Sequence, residues 1–373
     1  MGMRLGSAHG LGAHVWRLLI SALAVTLLMT LGATSASAAK SATCSVTNTD
    51  SGRTYPRLQQ AVDAAKPGAH LVVKGHCHGG TFIDKSLGIV GKETKRTGKP
   101  VLDGDAKARV LTIKPKVKVS IRAIVIRDGR ARLGQNGGGI ANKGRLVLRD
   151  VVVRRNTAGS IGGGIYNQGV VRISGDSRVT HNRLLATTNA YGAAIANRGR
   201  LALGGTTRVR SDPSRGIAMY STGTVVMNGR SNSNGCWNDK SLTMNDASSY
   251  SDGYSVLNGD GTLTMNDTSS IHDMGDRGGV RNYGSLTMND ASSIHDNHAT
   301  FDVLGDSGGV SNAGILTMND SSSIHDNHAD GGGPPRGGGV FNYAHATLSG
   351  VYCAPHTYAN VYGNSPDDCY FES

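Results

Sequence analysis

His295-Asp296-Asn297-His298 and His325-Asp326-Asn327-His328 repeat one tetrapeptide, and His272-Asp273 carries its first half one copy earlier. Imidazole and carboxylate groups in register are donors that a divalent transition metal accepts. His295, Asp296, His298, His325, Asp326 and His328 are therefore candidate ligands. The same residues also suit a surface turn. Asn tolerates left-handed backbone geometry, so Asn297 and Asn327 are expected to turn the chain with solvated His and Asp before them. Duplication also copies residues without copying function. In the copy starting at Leu242 the His position is Ser251, and after His272 the motif decays to "DMGD". The tetrapeptide reads first as a turn, and neither a metal nor another cofactor is assigned.

A second candidate set is cationic. "IRDGRAR" and "LRDVVVRRN" supply Arg127, Arg130, Arg132, Arg154 and Arg155 beside inward-type Val and Ile. Alternate strand residues point to opposite faces, so cations between apolar residues lie outside. Such a face either solubilises the chain or binds a polyanion. From Lys40 to Arg230 there are 33 basic against 10 acidic residues, a net of +23. From Ser231 to Ser373 there are 4 basic against 17 acidic, a net of −13. Acidic polysaccharides or cell-wall polymers are the partners this split favours, and one copy's acidic half can meet another's basic half. Nucleic acid would call for aromatic stacking platforms, whereas aromatics make up 5% of the chain. No Ser-His-Asp order, P-loop or H-E-x-x-H motif is present.

The elements that hold these residues are repeats. "GGGIANKGRLVL", "GGGIYNQGVVRI" and "GGVSNAGILTM" share the template G-G-apolar-x-Asn-x-x-x-apolar-x-apolar. The apolar marks fall at Ile140, Ile165, Ile195, Ile217, near Trp237, then Val256, Val280, Val310 and Val340. Periods of about 20–30 residues with strand-like alternation indicate a solenoid of β-coils. The Leu-to-His interval stays fixed from Leu263 to His272, Leu286 to His295 and Leu316 to His325, while the loops after the turn vary in length. Stacking at about 4.8 Å would pile Met244, Met265, Met288 and Met318 into an internal ladder and give about a dozen coils.

The ends differ from the middle. Arg4 and Arg17, the run "LLISALAVTLLMTLGA" and Ala36-Ser37-Ala38 have the order of a cleavable signal peptide, residues 1–38. No second apolar run long enough to span a membrane follows. Residues 39–373 read as a single domain: a capping helix over 54–66, recognisable repeats over 137–350, and a C-terminal cap over 351–373. Five cysteines in an exported chain suggest Cys44–Cys77 and Cys353–Cys369 staples, with Cys236 free.

The GG-apolar elements at Gly138-Gly139-Ile140, Gly163-Gly164-Ile165, Gly308-Gly309-Val310 and Gly338-Gly339-Val340 alternate with Val153…Asn156, Val179…Asn182, Ile294…Asn297 and Ile324…Asn327. In this the chain resembles the repeats of polymorphic outer membrane proteins, and more broadly the right-handed parallel β-helices of the pectate-lyase-like superfamily. Aliphatic residues replace the Phe of the F-x-x-N element, and no C-terminal membrane barrel follows. The resemblance implies an all-β, right-handed parallel β-helix with one N-terminal capping α-helix. It also implies a secreted or surface-associated role in binding or structure, adhesin-like in character. The alternative it carries is a polysaccharide lyase or glycoside hydrolase with a non-standard site, although "NTD" at Asn48–Asp50 and "DD" at Asp367-Asp368 are only fragments of a polygalacturonase signature. No catalytic residue is assigned.

Overall fold

A computed structural model of the chain describes residues 43–372, except 96–97, 186–190, 212–216, 276, 301–306, 331–336 and 356. The expected signal segment, 1–38, lies outside the described residues. The described chain forms a right-handed parallel β-helix. Sheet 1 has 14 strands, and sheets 2 and 3 have 12 each. Each coil visits them in a fixed order. In one coil, Val280–Asn282 lies in sheet 3, Ser285–Met288 in sheet 1 and Ser293–His295 in sheet 2, before Val310–Asn312 opens the next.

Period-two alternation turns Val280, Leu286, Met288 and Ile294 inward, where each is buried. The methionine ladder exists, and it begins one coil earlier than the repeat suggests: Met227 pairs with Met244, followed by Met265, Met288 and Met318. Each buried Met side chain contributes about 1.5–3 kcal/mol of apolar burial.

A second kind of ladder is polar. From Asn142 to Asn342, the sheet-3 asparagines are buried and several donate Nδ2 to the next coil's Oδ1, as in Asn258–Asn282 at 2.7 Å and Asn282–Asn312 at 2.7 Å. Their amides also cap backbone groups at the corner, so buried polar atoms are paired. This ladder corrects one apolar mark and sharpens another. Met219, in place of Ile217, pairs with Ile195, and the mark near Trp237 is its neighbour Cys236, which pairs with Met219. Ser221 occupies the asparagine position there and accepts Asn197 Nδ2 at 3.1 Å, which fixes the inward apolar residue two positions before it. The Cys236 thiol is free and fully buried, and burial pushes its pKa up to about 12.

The paired glycine and asparagine motifs are two halves of one contact. A Cβ on Gly139 would lie 2.6 Å from the Gly164 carbonyl and 2.9 Å from the Asn156 amide. The asparagine ending each coil thus needs bare backbone where that coil began.

At the N-terminal end, helix α1 spans Leu58–Ala64, shorter than the expected 54–66. Thr54–Tyr55 instead pairs antiparallel with Val46 and Thr47, so the helix begins only after Arg57. Leu58, Ala61 and Val62 cover the open end, while Gln59 Oε1 accepts the Phe82 amide at 2.7 Å. Cys44–Cys77 and Cys353–Cys369 are both bonded. The region 351–373 is also part of the coil stack: Val361–Tyr362 extends sheet 2, and Asp367–Phe371 extends sheet 3. Asp367 and Asp368 therefore lie within a strand of the coil stack.

Candidate anion-binding site

Parallel register turns scattered cations into rows. On the outer face of sheet 1, Lys118 stands beside Arg145, and Arg122 beside Arg149. On sheet 2, Asp103, Arg127 and Arg154 occupy equivalent positions of successive coils. Asp103 is almost fully buried, and its carboxylate accepts Arg127 Nε at 2.9 Å and contacts His76 Nε2 at 2.8 Å. Burial pushes its pKa up, but the Asp105 amide, His76 and Arg127 outweigh that and leave it below the ordinary carboxylate range. Arg127 is thus committed to an internal pair, with Asp128 a further 3.4 Å contact.

The next position along this edge adopts left-handed backbone in consecutive coils: Asp128 at φ 51°, Arg155 at 54° and His181 at 54°. Their side chains leave from one corner. Arg155 grips Asp128 with two bonds, Nε–Oδ1 at 3.0 Å and Nη2–Oδ2 at 2.8 Å, and this hydrogen bonding raises the Arg155 pKa. Around the corner lies a cavity of about 230 Å³, lined by Ala106, Asp128, Gly129, Arg130, Arg155, Thr157, His181 and Arg183. Three guanidinium groups and one imidazole therefore share a cavity whose lining contains one carboxylate.

Of the five arginines expected to bind a polyanion, Arg130 and Arg155 line this cavity. Arg127 and Arg154 flank it on the strand edge, and Arg132 lies exposed beyond it. Arg183 was missed. It sits at the end of a coil 28 residues after Arg155, and only the pairing of Thr157 with Arg183 places it there, with Arg183 Nε bonded to Thr157 Oγ1 at 3.0 Å.

The six histidine and aspartate candidates separate into two groups. His272, His295 and His325 stack in one row with ring centroids 5.2 and 5.1 Å apart, and Tyr362 continues the row. Each imidazole bonds its own neighbour through Nδ1, His295 with Asp296 and His325 with Asp326. His298 and His328 lie elsewhere and converge on Asp330, a residue the motif did not include. The turn is also assigned differently from the expectation. Left-handed geometry falls on Asp296 (φ 52°) and Asp326 (φ 54°), while Asn297 and Asn327 point inward and are buried. Asp, like Asn, tolerates this geometry, and Asn is needed inside as a ladder member.

Compared with protein-family models, curated proteins and solved structures, the chain gives no match to any of the three. Few aromatics occur, yet the fold gathers three of them: Tyr191 meets the Trp237 ring edge-on at 4.4 Å, with Tyr220 at 5.8 Å from Trp237. The residues lie 46 positions apart at the extremes, and no local spacing signals their meeting.

Proposed function

We propose that this is a secreted or cell-surface β-helix whose basic half binds acidic polysaccharide or cell-wall polymer. The observation that carries the reading is the arginine-lined cavity, where Asp128 alone opposes Arg130, Arg155, Arg183 and His181. Its volume suits the carboxylate or sulfate of one sugar unit, and the sheet-1 cation rows continue the positive surface along a chain. Two disulfides fit an oxidising compartment. No helix among the described residues is long and apolar enough to cross a membrane. The likeness to polymorphic outer membrane protein repeats and pectate-lyase-like β-helices adds an adhesive role to this reading.

One observation favours a second reading, a polysaccharide lyase or glycoside hydrolase: Asp128 and His181 share the cavity with arginines. Paired acid and base carboxylates are the usual requirement for glycoside hydrolysis, and here the single carboxylate is held by Arg155. The binding reading is therefore preferred. The test is a titration of the tag-free chain with polygalacturonate, a sulfated glycan and a neutral glycan, alongside an assay for new reducing or unsaturated ends. Binding confined to the acidic polymers is expected. It should weaken as screening shortens from about 10 Å at 0.1 M to about 3 Å at 1 M salt. Arg130→Glu with Arg183→Glu should lower affinity at least about tenfold, roughly 1.4 kcal/mol. Equal binding of neutral polymer would overturn the reading, and new chain ends would replace it with catalysis.

A further inference from the structure

Among the described residues outside the basic half, one cluster gathers metal-type donors. His298–Ala299 and His328–Ala329 form a two-stranded parallel sheet of their own, which sets the two imidazoles one coil apart in register. His298 Nε2 lies 2.7 Å from Asp330 Oδ2, and His328 Nε2 lies 2.6 Å from Asp330 Oδ1. The three residues offer ligand atoms that all lie within 4.8 Å of one another. Backbone bonds hold the frame: His298 N to Met274 O, His328 N to Asn297 O, and Asp330 N to Ala299 O, each 2.8 Å.

We propose that His298, His328 and Asp330 form a binding site for a borderline divalent cation, of which Zn²⁺ is the representative. Two imidazoles and a carboxylate are the donor set that such ions accept, whereas Ca²⁺ and Mg²⁺ prefer oxygen cages. Zinc bonds of about 2.0–2.2 Å to nitrogen and oxygen require the three donors to surround one point. They already converge, because both Nε2 atoms face one carboxylate, and small side-chain rotations would admit an ion between them. Binding exchanges the protons in these hydrogen bonds for the metal. Three protein ligands leave a fourth position for water or a partner's oxygen. The surrounding half of the chain carries 17 acidic against 4 basic residues, which attracts a cation.

The neighbouring His-Asp row does not offer the same arrangement. There His295 is engaged with Asp296 and His325 with Asp326, in separate pairs on rings stacked 5.1 Å apart. Among the described residues no carboxylate bridges two of those imidazoles, whereas Asp330 bridges His298 and His328.

Isothermal titration of the tag-free chain with ZnCl₂ near neutral pH tests the site. One ion per chain should bind. The affinity should drop at least tenfold in His298→Ala, His328→Ala and Asp330→Asn, and should stay unchanged in the double variant His295→Ala with His325→Ala. Acidification should weaken binding, because coordinating imidazoles must be neutral. A second measurement needs no variant: diethyl pyrocarbonate modification mapped by mass spectrometry, where Zn²⁺ should protect His298 and His328 but leave His295 and His325 reactive. Absence of saturable binding would overturn the proposal and leave the trio an ordinary ion-paired surface cluster. So would protection of His295 and His325 instead, or a titration unaltered by all three single variants.

Discussion

The two halves of the rod share a backbone and differ in what they put on its outer rows. Inside, the same ladders continue: Leu146 and Leu148 in the basic half occupy the positions of Leu286 and Met288 in the acidic half, and Asn156 plays the part of Asn297. Outside, one row of sheet 2 reads Asp103, Arg127 and Arg154 near the N-terminus, but His272, His295 and His325 near the C-terminus. The row beyond it reads Asp128, Arg155 and His181, then Asp273, Asp296 and Asp326. Inward rows are constrained by packing and by the bonds of the buried asparagine ladders, whereas outward rows are free to carry chemistry. The fold is therefore common to the whole domain, and function must be sought row by row.

The comparison predicts equal damage inside. Asn297 donates Nδ2 to Ile271 O at 3.0 Å and to Asn327 Oδ1 at 2.8 Å, and accepts the Met274 amide at 3.1 Å. Asn156 makes the matching bonds to Ile126 O, Asn182 Oδ1 and the Gly129 amide. Replacing either with Val strands several buried polar groups, each costing about 1–3 kcal/mol. Asn297→Val and Asn156→Val should each lose about 3–5 kcal/mol in denaturant unfolding. A large effect in one half alone would break the claim that the inward rows are equivalent.

Smaller and unequal effects are expected outside. Arg127→Ala leaves the almost buried Asp103 without its guanidinium partner and should cost about 2–4 kcal/mol, read by the same unfolding experiment. Asp103 itself adds a pH dependence. Its folded carboxyl lies below the usual 3.8, so its contribution is complete above that value and is lost as pH falls through the lower folded one. Melting temperatures followed from about pH 5 to about pH 2 should show this loss, and Asp103→Asn should remove that part of the acid sensitivity.

How much of this was legible depended on whether a signal is local. The Gly-Gly-apolar template, the alternation of Leu286 with Met288, and the terminal cysteine pairs are short-range patterns, and they led to the coils, the ladder and the staples. Register between coils is not local. Asp103 and Arg127 meet only because one coil happens to hold 24 residues, and Arg183 reaches Thr157 across 26. In the first coils Gly79-Gly80 keeps the glycine pair, but Thr81 and Ile83 stand where the template has its apolar residue and its Asn, and the coil opening at Leu111 has no glycine pair, so their register came from the structure. In "HDN" the residue types were compatible with two assignments. Sequence could not say which of Asp and Asn turned and which went inside, because both tolerate the left-handed region and only burial separates them.

The smallest expected effect lies in the histidine row, at positions equivalent to Arg127. His295 donates to Asp296 and His325 to Asp326, but those aspartates are 58% and 59% exposed. Exposed ion pairs of this kind contribute about 0–1 kcal/mol. The rings stack within 4° of parallel at 5.1 Å, yet they cover a surface already closed beneath them by Ile294 and Ile324. Removing both imidazoles opens no cavity and strands no buried group, because Asp296 and Asp326 regain water. His295→Ala with His325→Ala should therefore lower stability by no more than about 1 kcal/mol, with circular dichroism unchanged. Set beside Arg127→Ala, the pair of measurements asks whether one backbone row can be structural at one end of the rod and dispensable for folding at the other. A loss of about 3 kcal/mol or more in the histidine variant would show that the row braces the coils along its whole length.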